Sequence, residues 1–304
     1  MKAALLVVCL ISYLQISSVW ANQSSIGSER SVIPSVVDLL LNQGSSEPQA
    51  STFTAVPSNT RNSNPRGYIE YLPANFDSRN DWPVVVYFHG IGSPTGSGSE
   101  SDLQILLSVE MGAYLNSQDQ DFIVLIPQDH NGFWGNRAYG FIDWALNEYQ
   151  VKDNRDSWHT IYMSGAGGGF NRYCEDNPSS LVVVASHTPA SALTTNGDST
   201  SYQHCADSGA SFWFHHQDSD SVVGSGQTQN YYRGILEEVG TENLDKYRYT
   251  LYDTGGHNAD DLAFRGTGIN TAQVSGTITT MPFTLQWFEW NNESWWDWLL
   301  LQER

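Results

Sequence analysis

Ile161-Tyr162-Met163-Ser164-Gly165-Ala166-Gly167-Gly168-Gly169-Phe170 is the stretch on which the reading of the whole chain turns. Its first residues have the apolar, β-branched character of a short strand. Its glycines form a tight turn, and the residues after Gly168 have the look of a helix start. A strand that passes through a glycine turn into a helix is a unit of α/β architecture.

The same outline is the setting of the G-x-S-x-G pattern, in which a serine on a sharp strand-to-helix turn exposes its hydroxyl for nucleophilic attack. Gly165 and Gly169 fit the two outer positions, which leaves Gly167 at the centre. A non-glycine residue in such a backbone well costs roughly 1–3 kcal/mol, and glycine takes it at little steric cost. The expectation is therefore a catalytic scaffold without its attacking hydroxyl. By this register Ser164 lies inside the strand, short of the tip. A plainer reading makes the glycines a turn under close helix–strand packing.

Bulk properties narrow the class. With 304 residues, 40% of them apolar, the chain can bury a large core, and an α/β fold of this length often forms one domain. The formal net charge of -19 excludes nucleic acid and anionic membrane surfaces as natural partners. Lys2 followed by the apolar run Ala3–Ile11 and by Val19-Trp20-Ala21 reads as a secretory signal peptide over residues 1–21. The expected location is extracellular or periplasmic. Export takes Cys9 away with the leader and makes a Cys174–Cys205 disulfide the expected pairing, with two buried thiols as the alternative. The cysteines lack metal-ligand spacing, and no metal or cofactor is expected.

Residues 22–65 are rich in Ser, Asn, Gln and Thr and read as a linker or a loosely attached arm, with the folded domain spanning 66–304. Within it, Gly67–Pro73 alternates like an outer strand. Val84–Phe88, Phe122–Ile126 and Leu181–Ala185 are the short apolar runs of strands covered on both faces. Phe212–Phe214 and Tyr247–Tyr252 complete the set. Helical periods fall at Leu103–Leu115, Tyr139–Tyr149, after Gly168 and at Tyr231–Val239. The alternation predicts an α/β fold, a mostly parallel central sheet with helices on both faces. Five tryptophans between Phe283 and Leu301 suit a closing helix packed on the sheet; an aromatic platform for sugars is the alternative.

Three further stretches lie where a hydrolase needs them. His89-Gly90-Ile91-Gly92 follows the Val84–Phe88 strand and could offer a backbone N–H to an oxyanion, with a second from Gly168. His216–Val223, after Phe212–Phe214, contains Asp220, an acid able to orient a histidine; Asp218 reads as part of a solvated loop. Gly255-Gly256-His257 follows the last strand and lets His257 project into a cleft. Elbow, acid, histidine is the Ser…Asp/Glu…His order.

On these residues the chain resembles the secreted esterases and depolymerases of the α/β-hydrolases, including feruloyl-esterase-like, polyhydroxybutyrate-depolymerase-like and phospholipase/carboxylesterase-like proteins. The resemblance runs from about Gly67 to the end. It rests on Tyr71-Leu72-Pro73, Tyr87-Phe88-His89-Gly90, Ile126-Pro127-Gln128, Ile161–Phe170, His216–Val223, Gly256-His257 and Trp298-Leu299-Leu300. It implies an α/β-hydrolase fold, Asp220 as triad acid, His257 as general base and the Ile91 and Gly168 amides as oxyanion donors. Gly167 falls on the nucleophile and departs from the family pattern. The implied ligand is a small-molecule or polymeric ester. Three functions stay open: a silenced esterase, a working hydrolase that uses water or a displaced serine, and a carbohydrate binder presenting Trp134 or Trp158.

Overall fold

The computed structural model describes residues 49–91, 96–117, 119–132, 134–149, 158–170, 185–189, 199–240, 243, 246–264 and 295–302. By its contacts the chain divides into Met1–Glu47, outside the described residues, and a compact unit, Pro48–Arg304. Residues 1–21, expected to be a signal peptide, and Cys174, Trp287 and Trp290 also lie outside the described residues. Among those described, no helix is long and apolar enough to cross a membrane.

Eight strands make one sheet: β1 (Thr52–Val56), β2 (Tyr68–Leu72), β3 (Val84–Phe88), β4 (Ile123–Pro127), β5 (Trp158–Tyr162), β6 (Ala185–Pro189), β7 (Ser211–Asp220) and β8 (Tyr247–Gly256). Their order is β1-β2-β4-β3-β5-β6-β7-β8. β1 and β2 run antiparallel, while β3 to β8 are parallel. The sheet is thus mixed and mostly parallel, as expected.

Strand periodicity splits the core in two. Val84, Val86 and Phe88 of β3 join one apolar cluster with Ile123, Leu125, Phe212 and Phe214. Val85 and Tyr87 point the other way, with Val124, Ile126 and Trp213. The helices Asn136–Glu148 and Gly226–Val239 cover the first face through Phe141, Ile142, Tyr231 and Ile235. Glu110–Leu115, Ala259–Phe264 and Trp295–Leu301 cover the second through Met111, Phe264 and Trp298. β3, β4 and β5 are buried along their whole length, which is why they read as unbroken apolar runs.

Several expectations are corrected. The sheet begins at Thr52, so residues before Arg66 are not merely a linker. The polar loop after β1 is built by its side chains: Asn64, fully buried, accepts the N–H groups of Thr60 and Arg61 and donates to the carbonyls of Pro57 and Arg66. Arg61 also reaches the buried Glu70 and the hydroxyls of Tyr68 and Tyr149. The helix expected at Leu103–Leu115 is broken into Glu100–Leu103, a 3-10 turn at Gln104–Ser108 and Glu110–Leu115. β6 includes Ser186 and His187, while residues 181–184 of the expected strand lie outside the described residues. Trp134 and Trp158 are 1% and 2% exposed, which removes them as a sugar-binding surface.

Candidate active site

The strand order puts β4 and β5 on opposite sides of β3. Such a reversal opens a crevice at the carboxyl ends of the strands, where ligands bind in open α/β sheets. The loops leaving β3 and β5 meet there. β5 ends at Tyr162, and the backbone tightens at once into a 3-10 turn, Ser164–Ala166.

Ser164 heads that turn with φ of 49°. This is left-handed backbone, which a side chain with a Cβ occupies at a cost of about 1–3 kcal/mol and which clusters at functional sites. Its Oγ lies 2.7 Å from Nε2 of His257, and Nδ1 of His257 lies 2.7 Å from Oδ2 of Asp220. With Asp220 ionised, Nδ1–H donates to the carboxylate, so Nε2 accepts from the serine hydroxyl.

Gly167, the expected tip, is corrected by this geometry. It lies one turn further on, in right-handed helical backbone with φ of -53° and ψ of -23°. The vacancy inferred there lapses, because the serine three residues earlier occupies the elbow. The tip follows the end of β5, and the glycines serve other needs. A Cβ at Gly165 would meet Cγ1 of Ile91 at 2.3 Å, and one at Gly169 would meet Cε1 of Tyr162 at 2.9 Å. The pattern's outer positions around Ser164 are in fact Tyr162 and Ala166. Tyr162 stacks on Phe88 at 5.0 Å, and Gly169 leaves space for the ring.

Asp220 and His257 are brought together as expected. Asp220, the last residue of β7, pairs with Gly256, the last of β8, so His257 follows directly on the residue opposite the acid. Gly256 has φ of 131°, a conformation that glycine alone takes readily, and it turns the chain so that His257 points back. Asp218 is exposed at a register shift between Gln217 and Ser219. Oδ1 of Asp220 accepts the N–H groups of Val222 and Val223 at 2.8 and 2.9 Å. Burial raises the Asp220 pKa, but the Val223 N–H, His257 and the Val222 N–H outweigh it and hold the carboxyl below its ordinary range.

Ile91 lies beside the elbow, its side chain half-exposed and packed against Gly165. Gly168 is displaced from its expected place: the residue that follows the serine is Gly165. Behind Ile91, the loop is tied down by His89. The Asp129 N–H donates to Nε2 of His89, whose Nδ1 therefore donates to the Gly90 carbonyl. Burial lowers the His89 pKa and keeps the ring neutral. The Trp134 indole N–H donates to the His89 carbonyl, which gives that tryptophan a packing role.

Cys205 is buried on the helix Ser199–Asp207; its expected partner Cys174 is among the residues not described. Among the described residues, no group of three or more His, Cys, Asp or Glu side chains could hold a metal ion.

No protein-family model and no curated protein sequence matches the chain. Similar solved structures include a thermostable esterase, 19% identical, covering 66% of this chain and 54% of that one at a TM-score of 0.47. An S-formylglutathione hydrolase from Staphylococcus aureus is 13% identical, with 71% and 95% coverage and a TM-score of 0.47. A ferulic acid esterase is 14% identical, with 71% and 95% coverage and a TM-score of 0.46. The chain spans about half the length of the thermostable esterase.

Proposed function

We propose that this chain is a serine hydrolase of the α/β-hydrolase type that acts on carboxylic esters, with Ser164 as nucleophile, His257 as general base and Asp220 as the orienting acid. The observation that carries this reading is the unbroken 2.7 Å pair of contacts from Ser164 through His257 to Asp220, headed by a serine in left-handed backbone.

The chemistry follows from those atoms. His257 Nε2 takes the hydroxyl proton as Ser164 Oγ attacks the ester carbonyl. Asp220 stabilises the imidazolium that forms. The N–H groups of Gly165 and Ile91 receive the oxyanion of the tetrahedral intermediate. That intermediate collapses as His257 passes its proton to the departing alkoxide, leaving an acyl group on Ser164. Water, deprotonated by the same imidazole, then releases the acid and restores the serine.

The segment 1–21 directs export in this proposal, and Cys174 and Cys205 form a disulfide in the mature protein. Ester turnover with p-nitrophenyl acetate, paired with fluorophosphonate labelling, tests the reading. Labelling mapped to Ser164 supports it. A purified, folded protein that neither turns over esters nor takes the label refutes it.

A further inference from the structure

A second histidine stands behind the acid. His216, on β7, is fully buried and lies 3.5 Å from Oδ2 of Asp220, the oxygen that also meets His257. Its Nε2 is 2.9 Å from the carbonyl of Val223, and its Nδ1 is 3.0 Å from the hydroxyl of Thr228. A carbonyl oxygen only accepts, so Nε2 carries the proton and Nδ1 accepts from the Thr228 hydroxyl. Thr228 is itself fully buried, near the start of the helix Gly226–Val239.

The bonds around Val223 give this arrangement its consequence. The Val223 N–H donates to Oδ1 of Asp220, while its carbonyl accepts from His216. One peptide segment is therefore gripped on both sides, and the turn from Asp220 to Val223 cannot rotate without breaking a buried bond. With Oδ1 occupied by two backbone N–H groups, Oδ2 is left facing His257. Thr228 supplies the last restraint, because its hydroxyl selects the tautomer that points the His216 proton at Val223.

We propose that His216 and Thr228 are positioning residues that hold Asp220 in register with His257. The proposal rests on the reading of Ser164, His257 and Asp220 as a catalytic triad. The titratable groups that bear on His216 are Asp220 and His257, and burial keeps its ring neutral.

Thr228→Val, nearly equal in shape, removes only the hydroxyl; Thr228→Ser returns it; His216→Leu removes the ring nitrogens. Thermal melts show which variants fold. With p-nitrophenyl acetate, Thr228→Val is expected to lower kcat by about 10-fold and His216→Leu by about 100-fold, with KM little changed, since small misplacements cost rates of this order. Thr228→Ser is expected to recover the wild-type kcat. Proton NMR of the His257 Nδ1–H, which donates to Oδ2 of Asp220, gives a readout in the full chain that needs no turnover. Its downfield resonance is expected to move upfield in Thr228→Val, as Asp220 loses its fixed aim. A folded Thr228→Val variant with wild-type kcat and an unchanged Nδ1–H resonance overturns the proposal. If the wild-type protein shows no turnover or labelling, the proposed function fails instead, and the Nδ1–H resonance alone still decides whether the clamp exists.

Discussion

Gly90 and Ser164 are in such close contact that a methyl group at position 90 would lie 2.9 Å from the serine Cβ and 3.5 Å from its Oγ. The loop that leaves β3 therefore forms one wall of the space in which the hydroxyl turns. Gly90→Ala should push Ser164 off line with His257. The expected result is a loss in kcat/KM of about 100-fold, with a drop in stability of about 1–3 kcal/mol from overpacking. Steady-state kinetics beside a denaturant melt measure the two effects separately.

Ser164→Ala should abolish fluorophosphonate labelling and lower kcat by roughly 10⁴-fold or more, leaving only what oxyanion binding supplies. Gly167→Ser, in contrast, should create no new activity, because position 167 sits in helical backbone beyond the elbow. Asp220→Asn should keep the fold and cost about 10⁴-fold in kcat, since an amide at Asp220 favours the wrong His257 tautomer. Labelling that survives Ser164→Ala would contradict the assignment.

His159 on β5 makes stability depend on pH. It is fully buried, neither ring nitrogen has a hydrogen-bond partner among the described residues, and burial lowers its pKa from 6.5 to about 3. Between those values the unfolded chain binds a proton that the folded chain refuses. Stability should therefore fall as pH drops from 6.5 toward 3, by up to about 1.4 kcal/mol per pH unit. The lowered Asp220 pKa acts with the same sign, with its loss confined to acid below the ordinary carboxylate range. Denaturant melts from pH 4 to 8 should show a shallower slope in His159→Leu than in wild type.

Gly169→Ala tests the packing that admits an aromatic ring beside the elbow. The added Cβ would meet Tyr162 at 2.9 Å and Ala138 Cβ at 3.1 Å. The expected cost is about 1–3 kcal/mol. In a double-mutant cycle with Tyr162→Gly, the double variant should be less destabilised than the sum of the two single variants by about 0.5–3 kcal/mol, since removing the ring relieves part of the clash. Additive effects would show that the two positions do not share the space.

The sheet was largely legible because its strands are covered on both faces: β3 falls on Val84–Phe88 as read, and β7 and β8 contain the stretches read for them. β1 was not, since Thr52–Val56 is a half-exposed edge strand inside a polar tract. The acid and the histidine were legible from their places at the ends of β7 and β8. Ser164 was misplaced for a volumetric reason. The usual pattern requires small residues on both sides of the serine, and Tyr162 breaks it on one side. The usable signal was the strand itself, whose last residues, Ile161 and Tyr162, put the first turn at Ser164. His216 and Thr228 carried no sequence signal, because their meeting depends on how the helix Gly226–Val239 returns beside β7.

The room that Gly169 leaves for Tyr162 has a use in sequence searches. Bulk just upstream of the serine is exchanged for a bare backbone five residues downstream of it, so the two positions should vary together across distant chains. A search template that accepts an aromatic at the first position only when glycine stands at the second would retrieve elbows of this construction, which a fixed small-residue rule discards.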